Sequence, residues 1–319
     1  MIRLCKISIT LLLMMWCSVS FGQSRKYISN FSFFQSYYNP GLTGYEGSAM
    51  RGFVRNQWSG MEGAPKTMFF STELDFGEMS GIVDPALMGK NAMSVNLLFD
   101  SYGAFNETEV MVSYASRIRI SESHNLRLGA GVNYTNIRLD GLALSTEQQS
   151  DNTLSGYLGS FADMQILDFN LGMALTRDNY YISYGLHNVN RGRFSTGDNF
   201  MEGKPMAHMV QAGLRGALSD NVSLIGNGFF RQQEGQPDNI EFNAKVLFID
   251  KLWLGAGHRV TYANNFQAGF ILPSLRIGYL YELPIQNSGM MSGNIHEFMV
   301  IFHLFRNNDR VHRNEILIW

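Results

Sequence analysis

The chain has 319 residues, with 25 lysine or arginine residues against 27 aspartate or glutamate residues and a formal net charge of −2. Without the basic residues Arg3 and Lys6 of the leader, 23 basic residues face 27 acidic ones, a net charge of −4, which gives no reason to expect a nucleic-acid partner. Both cysteines, Cys5 and Cys17, also lie in the leader, which excludes a disulfide framework and a thiolate metal site from the remaining chain.

The first residues have the features of a secretory signal peptide. A cationic start precedes the apolar run 7–16 and the small residues Ser20 and Gly22, which suit a cleavage site. We therefore predict that residues 1–22 are removed during export. Lipidation of Cys17 is the weaker interpretation, because the residues just before it are not small.

The composition beyond the leader indicates an all-β chain. No apolar run approaches the length of about 18 residues that a transmembrane helix needs. Glycine (32) and aromatic residues (13%) are plentiful, proline (7) is scarce, and no helical period persists. The mean hydropathy of −0.09 is compatible with a membrane barrel, because alternate residues of barrel strands face the lumen and weaken the average.

Residues 23–46 alternate poorly but are rich in aromatic side chains. An aromatic segment of this kind needs a cover. We expect it to lie in the periplasm under the barrel or within the lumen. The aromatic residues are Tyr27, Phe31, Phe33, Phe34, Tyr37 and Tyr38.

The clearest strand pattern spans residues 107–140, where two alternating runs flank a polar turn at 121–124. Val110 and Val112 fall on one parity and Glu109 on the other, so one strand face is apolar and the opposite face is charged. Each run is about twelve residues or longer, whereas soluble strands average about five or six and a tilted membrane crossing takes about nine to eleven. The hairpin predicts one unit of a transmembrane β-barrel.

Alternation and turn residues predict about fourteen strands, forming an antiparallel outer-membrane barrel over residues 47–305. The predicted strands are 47–57, 64–76, 90–100, 107–120, 124–139, 166–177, 179–188, 206–218, 221–231, 239–249, 251–261, 264–272, 274–283 and 295–305.

The connections between these strands predict the orientation of the barrel. Short connections at 121–123, 178, 219–220, 250 and 273 alternate with mostly longer ones at 140–165, 189–205, 232–238 and 284–294. Because outer-membrane barrels have short periplasmic turns and long external loops, both ends of the barrel are predicted in the periplasm. The thirteen-residue connection at 77–89 is the exception on the short side. Residues 306–319 are predicted to be a periplasmic tail, either frayed or a docking peptide.

Charged residues on the inward parity predict either a wet channel or a lumen filled by ion pairs. The near balance of their signs favours the filled lumen, because buried charges are costly unless they are paired. A passive channel for small solutes or lipids stays open as the alternative. The inward charged residues are Arg117, Arg119, Arg127, Arg215, Arg276, Glu109, Glu282 and Glu297.

The sequence carries no catalytic signature. Histidines such as His187, His208, His258 and His303 allow formal pairings with serine, so an outer-membrane hydrolase is kept as a minor alternative. The seven histidines show no metal-ligand spacing, and we expect neither a metal nor a cofactor. A soluble β-sandwich is less favoured, because outward apolar residues in 275–283 would require a second sheet to cover them.

Three ordered motifs near the amino terminus resemble the signature of the PorP/SprF family, which typically reads NPAxxG, then RxQWxG, then GAP and T. Near the carboxyl end, Gly293-Asn294-Ile295-His296-Glu297 resembles the G-S-H-E of the same family. Gly41-Leu42-Thr43 replaces the common Ala-Tyr-Ala, and Asn294-Ile295 stands where serine is usual. The amino-terminal motifs are Asn39-Pro40-Gly41-Leu42-Thr43-Gly44, Arg55-Asn56-Gln57-Trp58-Ser59-Gly60 and Gly63-Ala64-Pro65-Lys66-Thr67.

This resemblance implies an outer-membrane barrel of the type IX secretion and gliding system of the Bacteroidetes. It implies a non-enzymatic role in the export or surface anchoring of large adhesin-like cargo proteins through their carboxyl-terminal domains. The implied partners are the cargo, periplasmic or outer-membrane components of the machinery, and outer-membrane lipid.

The residues of the motif also have a predicted position in the barrel. Arg55 and Gln57 share one parity and Trp58 begins the first external connection, so 58–65 is predicted to form a turn at the outer rim. This turn is either architectural or part of a partner-binding surface. If the rim binds cargo, the long connections 140–165 and 189–205 are the expected contact surface, because binding sites concentrate on loops held by rigid scaffolds.

Overall fold

A computed structural model describes residues 28–58, 63–80, 90–144, 157–198, 203–285, 293–305 and 318–319. The predicted leader and Gly60 of the motif lie outside the described residues. The strands are β1 (Ala49–Gln57), β2 (Lys66–Asp75), β3 (Asn91–Tyr102), β4 (Phe105–Arg119), β5 (Asn125–Asp140), β6 (Phe161–Thr176), β7 (Tyr180–His187), β8 (Phe194–Gly197), β9 (Ala207–Ser219), β10 (Val222–Gln233), β11 (Gln236–Phe248), β12 (Leu252–Arg259), β13 (Ala263–Ile271), β14 (Leu275–Pro284) and β15 (Ile295–His303).

The strands form a closed antiparallel barrel. Each long strand pairs with its neighbours in sequence, β7 pairs with β9, and the ring closes where β1 pairs with β15. The short strand β8 pairs with the first part of β6 only. The prediction of an all-β barrel of about fourteen strands is confirmed, with β8 as an addition that the sequence did not indicate.

The two faces of the wall differ as alternation predicts. In β15, Phe298 and Phe302 are exposed on the outside, whereas Glu297, Met299 and Ile301 are buried on the inside. An apolar outer surface around a filled interior is typical of a barrel in a lipid bilayer. Among the described residues, no helix is long and apolar enough to cross a membrane.

The connections define two ends of the barrel. We call the end where β1 begins and β15 finishes the terminal end, and the opposite one the loop end. The terminal end carries the short turns at 120–124, 177–179, 220–221, 249–251 and 272–274, while the loop end carries 58–65, 141–160, 188–206 and 285–294.

One connection differs from the prediction, and the 77–89 connection was the predicted exception. The stretch 232–238, expected to be a long loop, is a two-residue turn at 234–235, because β10 and β11 continue to Gln233 and Gln236. Gly235 permits this tight turn with its left-handed φ of 73°. The 77–89 connection begins as a helical turn, Phe76–Met79, capped by the Asp75 carboxylate, and residues 81–89 lie outside the described part.

At the loop end, β5, β6 and β8 continue as a wall extension past the level where β7 pairs with β9. The polarity of the two strand faces inverts there. Apolar Ile137, Met164 and Ile166 are buried on the inside, whereas Arg138 and Asp163 form an exposed ion pair on the outside. Because exposed Phe161 and Phe194 lie on the same outer face, its mixture of polar and aromatic side chains is typical of a barrel rim where the wall leaves the lipid.

The barrel interior is filled by the residues that precede β1. We call residues 28–46 the lumenal segment; all of them except Tyr37, Tyr45 and Glu46 are buried. The segment consists of a 3-10 turn at Phe31–Phe33, a helical turn at Gln35–Tyr38 and a second 3-10 turn at Pro40–Leu42. Its aromatic side chains form one core with inward residues of the wall, among them Phe53, Phe69, Phe229 and Trp253.

The end of the chain requires a correction. Residues 306–319 were predicted to form a periplasmic tail, but Ile318 and Trp319 are buried, 0% and 1% exposed, in core clusters of the barrel. Two large apolar side chains gain more from this core than from water. Residues 306–317 lie outside the described part of the chain.

Candidate functional site

The first anchor of the lumenal segment is a buried group of charges, here called the loop-end cluster and comprising Ser29, Arg55, Arg259, Glu282 and Glu297. The Arg55 guanidinium lies 3.1 Å from Glu282 Oε1 and 3.3 Å from Glu297 Oε2. Arg259 also pairs with Glu282. Ser29 Oγ donates to Glu282 Oε2 at 2.6 Å and the Ser29 amide donates to Glu297 Oε2 at 3.2 Å.

Strand register explains why these residues meet. Arg55 of β1 is directly opposite Glu297 of β15, and Glu282 of the next strand, β14, is opposite Ile295. All three charged side chains have inward parity, so the barrel closure itself brings them together. The arginine of the RxQWxG motif and the glutamate of the carboxyl-terminal motif are therefore partners in one ion-pair network.

The second anchor is a close backbone contact between the Asn39-Pro40-Gly41 turn and the wall. Asn39 Oδ1 accepts a hydrogen bond from the Gly41 amide at 2.8 Å, and Asn39 Nδ2 donates to the Met173 carbonyl at 3.0 Å. Three glycines that neighbour one another across β5, β6 and β7 receive this turn. We call them the glycine wall: Gly129, Gly172 and Gly185.

The glycine wall leaves no room for side chains. A Cβ on Gly172 would lie 1.9 Å from Asn39 Oδ1, and one on Gly129 would lie 2.3 Å from the Pro40 carbonyl carbon. Glycine at these positions allows backbone to approach backbone inside the lumen. The motif residues Asn39 and Pro40 thus pack against a flat patch of the wall, where three neighbouring strands carry glycine at the same level.

The third anchor lies near the terminal end and comprises Glu46, Arg51, Glu73 and Arg276, which we call the terminal-end cluster. Arg51 Nη1 lies 3.0 Å from Glu46 Oε2, Arg51 Nε lies 2.9 Å from Glu73 Oε1, and Arg276 Nη1 lies 3.3 Å from Glu46 Oε2. Burial alone would raise the pKa of Glu46, but the Arg276 and Arg51 guanidiniums outweigh it and lower the pKa to about 2.

Gly44, the last residue of the first motif, joins this anchor to the lumenal segment. Its amide donates to Glu73 Oε2 at 2.7 Å. Its φ of 65° is left-handed, and a Cβ would lie 2.3 Å from the Cβ of Ala92. Both the conformation and the space therefore require glycine.

The remaining motif residues meet at the rim of the loop end. The Gln57 amide donates to the Pro65 carbonyl at 3.0 Å, and the Trp58 amide donates to the Asn294 carbonyl at 3.1 Å. Trp58 has a left-handed φ of 50°, and Gly293 lies so close that a Cβ there would be 2.8 Å from Trp58 Cδ1. The two ends of the family signature thus touch each other across β1 and β15.

Other residues of the predicted site have separate surroundings. Gly63 is exposed, has a left-handed φ, and its carbonyl accepts a hydrogen bond from the Gly103 amide. Ala64 is half-buried. Thr67 Oγ1 donates to Asp100 Oδ1 at 2.6 Å. His296 faces outward and its Nδ1 lies 2.7 Å from the Tyr279 hydroxyl. His296 and Glu297, adjacent in the motif, therefore serve opposite faces of the wall.

The other histidines make isolated contacts. His187 Nε2 lies 3.0 Å from the Tyr38 carbonyl, His208 Nδ1 2.7 Å from the Tyr184 hydroxyl, and His258 Nδ1 2.8 Å from Asn264 Oδ1. Within the described ranges, no three histidine, aspartate or glutamate side chains are placed to hold a metal ion. These positions suit side chains that fix the wall and the lumenal segment.

Sequence reasoning missed several residues of the site. Ser29 and the glycine wall have no local motif, and only the recurrence of glycine on the inward parity of three successive strands could have indicated a close approach. Arg259 lies within the strand predicted at 251–261 and on its inward parity, but it was not included among the predicted inward charges.

Fold and site together define an outer-membrane β-barrel whose lumen holds its own amino-terminal segment. The sequence matches the family model described as type IX secretion system membrane protein PorP/SprF over residues 20–302. The chain belongs to this family, as the sequence motifs predicted.

Three solved structures are similar to this chain at low sequence identity. The CymD monoaromatic hydrocarbon channel is 10% identical with a TM-score of 0.48, covering 88% of this chain and 94% of that one. The Pseudomonas putida toluene transporter TodX is 8% identical with a TM-score of 0.45, covering 87% and 93%. A Pseudomonas aeruginosa FadL homologue is 8% identical with a TM-score of 0.38, covering 80% and 88%. No curated protein matches the sequence.

Proposed function

We propose that this barrel supports the export or surface anchoring of large adhesin-like type IX cargo by binding the cargo's carboxyl-terminal domain, without catalysing a reaction. Family membership supports a role in type IX secretion. The observation that carries the proposal is the lumenal segment, which is buried in the interior and anchored at three levels. A barrel filled in this way offers a partner its rim and loops rather than a conduit.

The wall extension is the surface that we assign to the cargo. It stands at the loop end, which in outer-membrane barrels faces outward because long loops are external. Its last strand, β8, pairs with β6 on one side and with no other strand of the described residues. An edge strand of this kind is a template for an added strand from another protein.

The hydrogen bonds of β8 identify the groups that a partner strand would meet. The Asp198 amide donates to the Asp163 carbonyl at 2.8 Å, so residues 194, 196 and 198 point their backbone groups toward β6. Ser195 and Gly197 consequently point theirs away from the barrel. A segment in extended conformation satisfies such groups, and the carboxyl-terminal domain of the cargo is the proposed source of it.

Affinity purification of the tagged protein from its own outer membrane in mild detergent, followed by mass spectrometry, tests this function. We expect stoichiometric recovery of a large secreted protein with a type IX carboxyl-terminal domain. Ser195→Pro removes the outward amide at the β8 edge and is expected to abolish recovery, whereas the matched Ser195→Ala keeps the amide and retains it.

Three outcomes would count against the proposal in different ways. A barrel recovered alone, with measurable conductance in a planar bilayer, would favour the passive channel. Equal cargo recovery with Ser195→Pro and Ser195→Ala would preserve the anchoring role but move the contact away from β8. Hydrolytic activity abolished by one serine or histidine substitution would overturn the non-enzymatic assignment.

A further inference from the structure

Trp319 occupies a defined aromatic pocket inside the barrel. Its ring meets Tyr181 of β7 edge to face, with centroids 4.8 Å apart and planes at 87°, and stacks on Tyr45 of the lumenal segment at 5.8 Å and 27°. The Arg215 guanidinium lies over the ring, 4.0 Å from its centre. A Cβ on Gly213 would lie 3.0 Å from Trp319 Cε3, so the glycine in β9 makes room for the ring.

The backbone of Trp319 is held as specifically as its side chain. Lys245 Nζ donates to the Trp319 carbonyl at 2.5 Å, and Ser32 Oγ of the lumenal segment donates to the same oxygen at 3.1 Å. Nζ also lies 4.0 Å from the centre of the Phe33 ring. Trp319 therefore contacts the wall and the lumenal segment at once.

Lys245 has an unusual position for a lysine. Its side chain is 1% exposed, and the hydrogen-bond acceptors of Nζ are the main-chain oxygen of Trp319 and the Ser32 hydroxyl. Burying an ammonium group is costly unless other groups replace its water ligands. Here the Trp319 carbonyl, Ser32 Oγ and the aromatic faces supply that replacement.

We propose that Lys245, Tyr181 and Arg215 form a lumenal binding site for a tryptophan-bearing peptide segment, that Ile318–Trp319 is its occupant, and that this occupancy locks the lumenal segment in place. The cation binds the carbonyl oxygen, the two tyrosines bind the indole, and the guanidinium covers the ring. Ser32 and Tyr45 of the lumenal segment contact Trp319, which also contacts the wall. Removal of Trp319 therefore frees this part of the lumenal segment. The site closes the lumen independently of any partner at the rim.

A cysteine reporter in the lumen tests the lock. The chain has no cysteine after residue 17, so an introduced thiol is the only one in the protein from which the predicted leader has been removed. Ser183 is suitable: it lies on the inward face of β7, two residues from Tyr181, is 4% exposed, and its Oγ has no hydrogen-bond partner among the described residues. Ser183→Cys purified in mild detergent is treated with a polar maleimide, and the labelling rate is measured.

We expect labelling to be slow in the Ser183→Cys background and about tenfold faster or more when Trp319→Ala is added, because the local opening that exposes the thiol becomes easier. Trp319→Phe retains a ring for the tyrosines and is expected to label more slowly than Trp319→Ala. Lys245→Met, similar in size but uncharged, loses the carbonyl contact and is expected to label faster than Ser183→Cys alone.

Heat-modifiable mobility on gels shows whether each variant still forms the barrel. If Trp319→Ala does not form it, Lys245→Met carries the comparison. Labelling that stays at the background rate in folded Trp319→Ala or in folded Lys245→Met would overturn the proposal. The readout is thiol exposure in the lumen, so it is independent of whether cargo binds at β8.

Discussion

The two ion-pair clusters that hold the lumenal segment differ in their access to water. In the loop-end cluster the side chains of Arg55, Glu282 and Glu297 are 0%, 1% and 0% exposed, and Arg259, at the end of its strand, is 7% exposed. In the terminal-end cluster the values are 10% for Glu46, 6% for Arg276, 5% for Arg51 and 3% for Glu73, so Glu46 is the most exposed member of either cluster. Both clusters use arginine between two carboxylates, but only the second has a carboxylate outside the strands.

This difference indicates separate roles for the two anchors. A fully buried network depends on every member, because a charge left without its partner has no water to replace it. A carboxylate near the end of the lumen with a depressed pKa instead responds to protons. We therefore expect the loop-end cluster to determine whether the segment is held and the terminal-end cluster to make that hold depend on pH.

The largest expected effect comes from removing the central cation of the loop-end cluster. Arg55→Met leaves Glu282 and Glu297 buried with fewer partners, and we expect the free energy of unfolding to fall by about 3–5 kcal/mol. Urea unfolding in lipid vesicles measures it. Arg138→Met is the matched control, because the Arg138–Asp163 pair is exposed, at 53% and 35%, and its loss is expected to change nothing measurable. Similar destabilisation by both substitutions would contradict the distinction between buried and exposed pairs.

The contrast between buried and exposed charges also shows which features could be predicted from the sequence. Alternation correctly assigned Arg127, Arg276, Glu282 and Glu297 to the lumen, because strand parity determines the face. It could not pair Arg55 with Glu282, since partners so distant in sequence meet only when the barrel closes. The fold was therefore predictable to the level of strands, and the contacts across the lumen were not.

The start of β6 and the strand β8 were missed for a different reason. At the start of β6 the polar residues Asp163 and Gln165 face outward and the apolar residues Ala162 and Met164 face inward. In the membrane part of the same strand the outward residues are apolar instead. A search for strands that keep their apolar residues on one parity therefore stops at the point where the wall leaves the lipid. With four residues, β8 is too short to show any period. It also follows a turn that contains Asn188 and Arg191, both with left-handed φ.

A pH-dependent effect is expected at the terminal-end cluster. The pKa of Glu46 is lowered to about 2 from an ordinary value near 4.5, so its contribution to stability is fully present above about pH 4.5 and is lost as the pH falls toward 2. Glu46→Gln is expected to reduce the free energy of unfolding at pH 7 by about 3 kcal/mol and to remove this part of the pH dependence.

Unfolding curves at pH 7, 4 and 2.5 measure this contribution. Glu122→Gln, in the exposed turn at 120–124, is the control and should leave the curves unchanged. If Glu46→Gln retained the full pH dependence of the unsubstituted protein between 4.5 and 2, other carboxylates would have to account for the acid response.

The smallest of the three effects is expected at the glycine wall, which binds the lumenal segment without charges. Gly172→Ala would place a methyl group 1.9 Å from Asn39 Oδ1 and 2.7 Å from the Gly41 amide, so the Asn39-Pro40-Gly41 turn must move. We expect a loss of about 1–3 kcal/mol, the usual cost of overpacking. Gly216→Ala is the matched control, because a Cβ there meets no atom within 4 Å. Equal stability of the two variants in urea unfolding would mean that the turn is free to shift. The ion-pair clusters and Trp319 would then hold the lumenal segment, and the flat wall would have no part in its position.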